Sequence, residues 1–82
     1  MSSVPEIVQL TLKLNDKTII KEVNKDITEL NLDSLGIKKI NGLSQLTNLK
    51  YLFCENNNIQ ELNLYEAGLY NLESLWVSNN NI

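Results

Sequence analysis

Apolar residues recur along this chain at fixed places in one template. Leu49, Leu52, Cys54 and Ile59 stand at positions 1, 4, 6 and 11 of a stretch whose ninth position is Asn57. The pattern returns at Leu72, Leu75, Val77, Asn80 and Ile82, and it occurs earlier at Ile27, Leu30, Leu32 and Ile37, where Leu35 replaces the asparagine. The offsets are 49 − 27 = 22 and 72 − 49 = 23. A period in the low twenties marks stacked units, each burying its apolar face only against its neighbours. Within a unit the alternation predicts a short strand, such as Thr28 to Leu32, with Leu30 and Leu32 pointing inward. After Ile37 the apolar residues come at threes (Ile40, Leu43, Leu46, Leu49), a spacing that suits a tight 3₁₀-like or irregular return, with Gly42 permitting a bend. The second return is one residue longer, and Tyr65-Glu66-Ala67-Gly68 is where that residue is expected.

Ahead of the repeats, Ser3 and Glu6 have the spacing of a capping box and Pro5 suits a first helical turn. Val4, Ile7, Leu10 and Leu14 then share a helical face, which predicts a capping helix over about 4–14. The same stretch also alternates as a strand at Leu10, Leu12 and Leu14, and the cap signals favour the helix. Asn15-Asp16-Lys17 reads as a turn, and Thr18 to Val23 as a β-prone segment. The expected organisation is a capping segment at 1–26 and repeats at 27–48, 49–71 and an incomplete 72–82. Nothing after Ile82 would shield Leu75, Val77 and Ile82. That predicts either a fragment of a longer array or an open end that pairs with another chain.

The asparagines at position nine stand where the chain leaves the strand. A side-chain amide there can satisfy turn backbone groups that would otherwise be buried unpaired, at about 1–3 kcal/mol each. Leu35 breaks the series, so that edge is expected to be looser or covered by the N-terminal segment. The other asparagines of Asn56–Asn58 and Asn79–Asn81 have no role legible in the sequence. Cys54 takes an inward position, as a small apolar thiol in the core.

Side chains alternate across a strand, so positions 3, 5 and 7 of each unit face away from the core. They are Glu29, Asn31 and Asp33 in the first unit, Tyr51, Phe53 and Glu55 in the second, and Ser74, Trp76 and Ser78 in the third. Parallel strands lie about 4.8 Å apart, which makes Phe53 and Trp76 direct neighbours. An exposed aromatic cluster rimmed by acids is the chemistry of a protein-binding anchor, and these nine residues are the candidate site.

Composition narrows the chemistry. The 82 residues carry a net charge of −3 with scattered lysines and no arginine, which argues against a reader of nucleic-acid backbones. Without histidine the usual general base and metal ligand are missing, and no catalytic, metal or cofactor motif is present. One cysteine cannot close an internal disulfide, and no signal peptide or membrane span is legible. A cytoplasmic setting follows as the expectation.

Leu49-x-x-Leu52-x-Cys54-x-x-Asn57-x-Ile59 and Leu72-x-x-Leu75-x-Val77-x-x-Asn80-x-Ile82 resemble the leucine-rich repeat core. The 22-residue period with Ile40-Asn41-Gly42-Leu43-x-x-Leu46-x-x-Leu49 resembles the subclass found in a protein phosphatase 1 regulatory subunit, bacterial internalins and axonemal leucine-rich proteins. Leu72-Glu73-Ser74-Leu75-Trp76-Val77-Ser78 looks like the axonemal and phosphatase-regulator members. The resemblance covers residues 27–82. It implies an α/β repeat: a leucine-rich repeat solenoid with a short parallel concave sheet, irregular or 3₁₀ convex returns and an N-terminal cap. It also implies a non-catalytic surface for a protein partner, one of phosphatase or cytoskeletal type; separately, the acidic rim of Glu29, Asp33 and Glu55 favours a partner with basic groups opposite, and the charge and the lack of an apolar span predict no nucleic acid and no membrane. The rival expectation is a structural element, such as a cytoskeletal scaffold, that self-associates through its open C-terminal repeat.

Overall fold

The alternation of Val8, Leu10 and Leu12 with Gln9, Thr11 and Lys13 builds the first element, strand β1 (Ile7–Lys13). A turn closed by the Leu14 N–H donating to the Lys17 carbonyl (2.9 Å) leads into β2 (Thr18–Asn24), antiparallel to β1 along its whole length. Three-residue strands follow: β3 (Glu29–Asn31), β4 (Lys39–Asn41), β5 (Tyr51–Phe53) and β6 (Ser74–Trp76), with a 3₁₀ turn at Leu43–Gln45. The structure is a computed structural model that describes residues 4, 6–60, 62 and 68–81. Strands β3, β5 and β6 form a parallel sheet in that order, and β2, β1 and β4 an antiparallel one. Among the described residues no helix is long and apolar enough to cross a membrane.

The helix expected over about 4–14 is not formed; Ile7–Lys13 is a strand. The helical stripe needed Val4 and Ile7 inside, yet they are 90% and 55% exposed, while Leu10 and Leu12 are buried. A short helix would satisfy only its own backbone and is marginal in water. As a strand the segment is paired on both sides, by β2 and by β4, the latter at Thr11↔Asn41, Leu12↔Ile40 and Lys13↔Lys39. β4 lies in the first return, so the return is part strand and part 3₁₀ turn. Ser3 and Pro5 of the expected cap lie outside the described residues, as do Ile82 and Tyr65–Ala67, where the extra residue was expected.

Gly42 makes the hairpin's docking possible. Its φ is +102°, a conformation L side chains rarely adopt, and an added Cβ would lie 3.0 Å from the Gln9 carbonyl oxygen. Gln45 Nε2 donates to that same oxygen (3.0 Å) and to the Gly42 carbonyl (3.2 Å), tying β1 to the turn. Leu10 and Leu12 thereby join Leu30, Leu32, Ile37, Leu43, Leu46, Leu49, Leu52, Cys54 and Ile59 in one buried cluster.

The repeats are held rung to rung by backbone and by asparagine. The ladder continues past the strands: the Leu32 N–H donates to Phe53 O (2.7 Å), Cys54 N–H to Trp76 O (2.7 Å) and Asn56 N–H to Ser78 O (3.0 Å). Asn57 is the buried polar residue of the core among the described residues. Its Oδ1 accepts from the N–H groups of Leu35 and Ile37 at 3.0 Å each. Its Nδ2 donates to the carbonyls of Leu32 (2.8 Å), Cys54 (3.1 Å) and Glu55 (3.2 Å). Asn80 repeats the arrangement one rung on, accepting from Ile59 N–H (3.0 Å) and donating to Cys54 O and Val77 O (2.8 Å each). Each asparagine thus closes the rung before its own. Leu35 needs no amide for its own turn, because Asn57 supplies one. The N-terminal segment does not cover it: Leu35 is 45% exposed.

Three substitutions have expected outcomes. Asn57→Ala strips partners from the Leu35 and Ile37 N–H groups and should lower the denaturant-unfolding free energy by about 2–4 kcal/mol. Asn31→Ala, which loses one exposed bond to the Asp33 N–H, should cost less than about 1 kcal/mol. Gly42→Ala should cost about 2 kcal/mol in the same measurement, through the strained φ and the contact with Gln9. Burial, with the Asp33 charge as a smaller cause, pushes the Cys54 thiol from 9.0 up to about 12. The unfolded chain releases that proton first, so this thiol's contribution to stability is intact below pH 9.0 and is lost as pH rises toward about 12. At about pH 8 a thiol reagent should modify Cys54 no faster than the chain unfolds, as mass spectrometry would show.

Candidate protein-binding face

The register of the parallel sheet places the outward side chains in rows. Glu29 lies opposite Tyr51 and Tyr51 opposite Ser74; Asn31 lies opposite Phe53 and Phe53 opposite Trp76. Asp33, Glu55 and Ser78 extend the array by the same offsets, carried by the backbone bonds of Ser34 N–H to Glu55 O (2.9 Å) and Asn56 N–H to Ser78 O. The inward row is Leu30, Leu52 and Leu75, the first two buried and the third half-buried on the outermost strand. All nine predicted residues are therefore on one face, with the leucines behind them.

The centre of the face is a pair of stacked rings. Phe53 and Trp76 lie with centroids 4.4 Å apart and planes 10° from parallel. That separation follows from the strand spacing of about 4.8 Å. Offset stacking of this kind contributes about 0.5–1.5 kcal/mol beyond buried area, and it holds both rings upright. Trp76 is 39% exposed and Tyr51, beside Phe53 on β5, is 36% exposed. Glu29, Asn31 and Ser78 are exposed; Asp33, Phe53, Glu55 and Ser74 are half-buried.

The acids differ in their freedom. Asp33 Oδ1 accepts from the Glu55 backbone N–H at 2.7 Å, and Asn31 Oδ1 accepts from the Asp33 N–H at 2.9 Å. Asp33 therefore binds two rungs together as well as charging the face, a role the sequence reading missed; an Asp 22 residues before a glutamate was its only signal. Also missed were the asparagines at the eighth position. Ser34, Asn56 and Asn79 all have left-handed backbone, with φ of 57°, 58° and 60°. Asparagine tolerates that region better than most residues. Asn79 Nδ2 donates to Asn56 Oδ1 at 2.7 Å, forming a second side-chain ladder on the rim. The ion pairs lie off the outward rows: Lys50 with Glu73 (3.9 Å) just before β5 and β6, and Lys25 with Glu6 (3.2 Å) on the hairpin. No lysine occupies any of the outward positions of the sheet.

Cys54 sits behind the rings, fully buried, and the desolvation that keeps its thiol protonated also denies it nucleophilic chemistry. A hollow of ≈ 330 Å³ at the edge where the strands begin is lined by Thr28, Asn48, Lys50, Asn71 and Glu73. Its two charges face each other as an exposed pair.

No curated protein and no solved structure matches the chain. Residues 47–82, which include β5, β6, both rung-closing asparagines and the ring pair, match the family model described as Leucine Rich repeats (2 copies). That match supports reading this segment as a pair of leucine-rich repeats.

Proposed function

We propose that the outward face of the parallel sheet is a non-catalytic surface for a protein partner. The observation that carries this is the Phe53–Trp76 stack, held upright beside Tyr51 on a face otherwise made of carboxylates, an amide and hydroxyls. Rigid aromatics at the middle of a polar surface are what interfaces use as anchors, because they bring large area at little entropy cost. Leucine-rich repeats generally mediate protein–protein interaction, which supports the same reading. The finer features belong with it: a solenoid of the 22-residue subclass, a concave binding sheet, a partner with basic groups opposite Glu29, Asp33 and Glu55, and a cytoplasmic or cytoskeletal setting in which a single unpaired cysteine is unremarked by oxidation.

A rival reading has the rung at 72–81 associating end to end with another chain. It is favoured by one observation: Leu75 and Val77 are half-buried where their counterparts Leu52 and Cys54 are fully buried. The two readings separate on Trp76. Trp76→Ala and Phe53→Ala should each weaken an affinity-purified partner's binding by about 2 kcal/mol, read by calorimetry, with the unfolding midpoint little changed. Loss of self-association in the ultracentrifuge with Leu75→Asp, together with unaltered partner binding by Trp76→Ala, would favour end-to-end assembly instead.

A further inference from the structure

We infer that β2 is a self-association edge: two copies of this chain pair their β2 strands antiparallel about a two-fold axis at Ile20, joining two hairpin sheets into one. This concerns the antiparallel sheet and does not depend on the outward face of the parallel sheet being a binding surface.

The backbone shows which groups are offered. At either end of the β1–β2 ladder the Leu14 N–H donates to Lys17 O (2.9 Å) and the Lys25 N–H to Glu6 O (2.8 Å). Hydrogen-bonded pairs alternate along an antiparallel ladder, so Ile19, Lys21 and Val23 turn their N–H and carbonyl groups toward β1. Thr18, Ile20 and Glu22 turn theirs the other way. On that side β2, which stands at the end of the order β2-β1-β4, has no strand neighbour among the described residues. The strand is seven residues long without glycine or proline, and Ile19 and Ile20 are 39% and 52% exposed. A long edge with exposed β-branched residues is a template for another strand. The opposite edge, β4, is three residues long and carries Lys39, which blunts it.

Charge selects both the occupant and the register. Outward groups must meet outward groups, so two identical antiparallel strands pair symmetrically about one residue. Centring on Ile19 sets Lys17 opposite Lys21, and centring on Lys21 sets that lysine opposite its own copy. Centring on Glu22 sets glutamate against glutamate, and centring on Val23 sets Lys21 against Lys25. Like charges directly opposite one another are destabilising. Centring on Ile20 avoids all four clashes. Ile20 then meets Ile20, Thr18 meets Glu22, and Ile19 meets the aliphatic stem of Lys21. Each charge of the strand lies opposite an uncharged residue, and the outward N–H and carbonyl groups of Thr18, Ile20 and Glu22 all find partners across the axis. The edge is complementary to itself in this register, which is why its occupant is a second copy. A two-fold contact is closed, so the product is a dimer and not a fibre.

One edge contact belongs to the weak, transient class of interface, so the test runs up to about 1 mM protein. Sedimentation equilibrium of the 82-residue chain should show a reversible monomer–dimer equilibrium. Ile20→Lys removes the central apolar pair and sets two ammonium groups across the axis. It should weaken dimerisation about fivefold or more, with the unfolding midpoint of dilute protein little changed because Ile20 is exposed. Leu75→Asp, on the parallel sheet, should leave the dimer intact. Disulfide trapping reads the register. Ile20→Cys should oxidise to a linked dimer, since the Cα atoms of a hydrogen-bonded pair lie about 5.5 Å apart. Thr18→Cys alone should not, because its own copy lies 22 − 18 = 4 residues away along the partner strand, about 13 Å. Thr18→Cys mixed with Glu22→Cys should give the mixed dimer. A chain that stays monomeric to about 1 mM, a dimer indifferent to Ile20→Lys, or equal trapping of every cysteine variant would overturn the inference. Loss of the dimer on Leu75→Asp but not on Ile20→Lys would also overturn it, and would assign self-association to the rung at 72–81.

Discussion

The amide of Asn57 is the contact on which the repeats depend. The parallel strands are only three residues long, too short for ladder bonds alone to fix how one rung sits on the next. Where the chain turns inward after each strand, backbone N–H and carbonyl groups leave the ladder while still buried, and an unpaired buried group costs about 1–3 kcal/mol. One asparagine side chain answers five of those groups in two rungs at once. Because it reaches backward, from the second turn into the first, it locks register as well as satisfying donors. A slip of one residue would detach it from Leu35 and Ile37 and turn Leu52 outward. The same lock therefore sets Phe53 opposite Asn31 on one side and Trp76 on the other. Asn80 does for Ile59 and Cys54 what Asn57 does for the first rung, so the geometry of the ring pair is fixed from both sides.

The first rung meets a different neighbour. Its return carries β4, which adds to the hairpin of β1 and β2. The contact is close enough that the Gln9 carbonyl occupies space a side chain at position 42 would need. Gly42 thus has two reasons to be glycine, a positive φ and a neighbour's backbone, and the Gln45 amide seals the junction. Leu10 and Leu12 from the hairpin finish the core that Leu30 and Leu32 begin. A capping helix and a capping hairpin solve the same problem of covering apolar surface. Here the hairpin also gives the return segment backbone partners.

Much of this was legible beforehand, for physical reasons. Inward and outward positions were readable because a template repeated at a fixed offset leaves each side chain only one face. That is why Phe53, Trp76 and the acids fell together, and why Cys54 read as core. The N-terminal segment was not readable in the same way, since Leu10, Leu12 and Leu14 satisfy a strand while Val4, Ile7, Leu10 and Leu14 satisfy a helix. The decision lay in pairing with a residue 40 − 12 = 28 positions away, at Leu12↔Ile40, which no local pattern encodes. Asn56 and Asn79 were opaque too: their function is a backbone conformation, and a run of three asparagines hides which member adopts it. Asp33 was legible as a charge and not as a hydrogen-bond acceptor for the next rung.

The ladder has a consequence for recognition. A binding surface loses affinity when its side chains must be ordered on contact, at about 0.5–1.5 kcal/mol for each mobile one. On this face the ordering is done in advance. Phe53 and Trp76 hold each other, Asn31 and Asp33 are bonded to the backbone, and Asn56 is bonded to Asn79 at the rim. The stacked rings and the rung-bonded side chains thus give the proposed surface a preset shape. Losing Asn57 would therefore be expected to harm binding without that residue touching a partner, because the register that keeps the rings parallel would no longer be enforced.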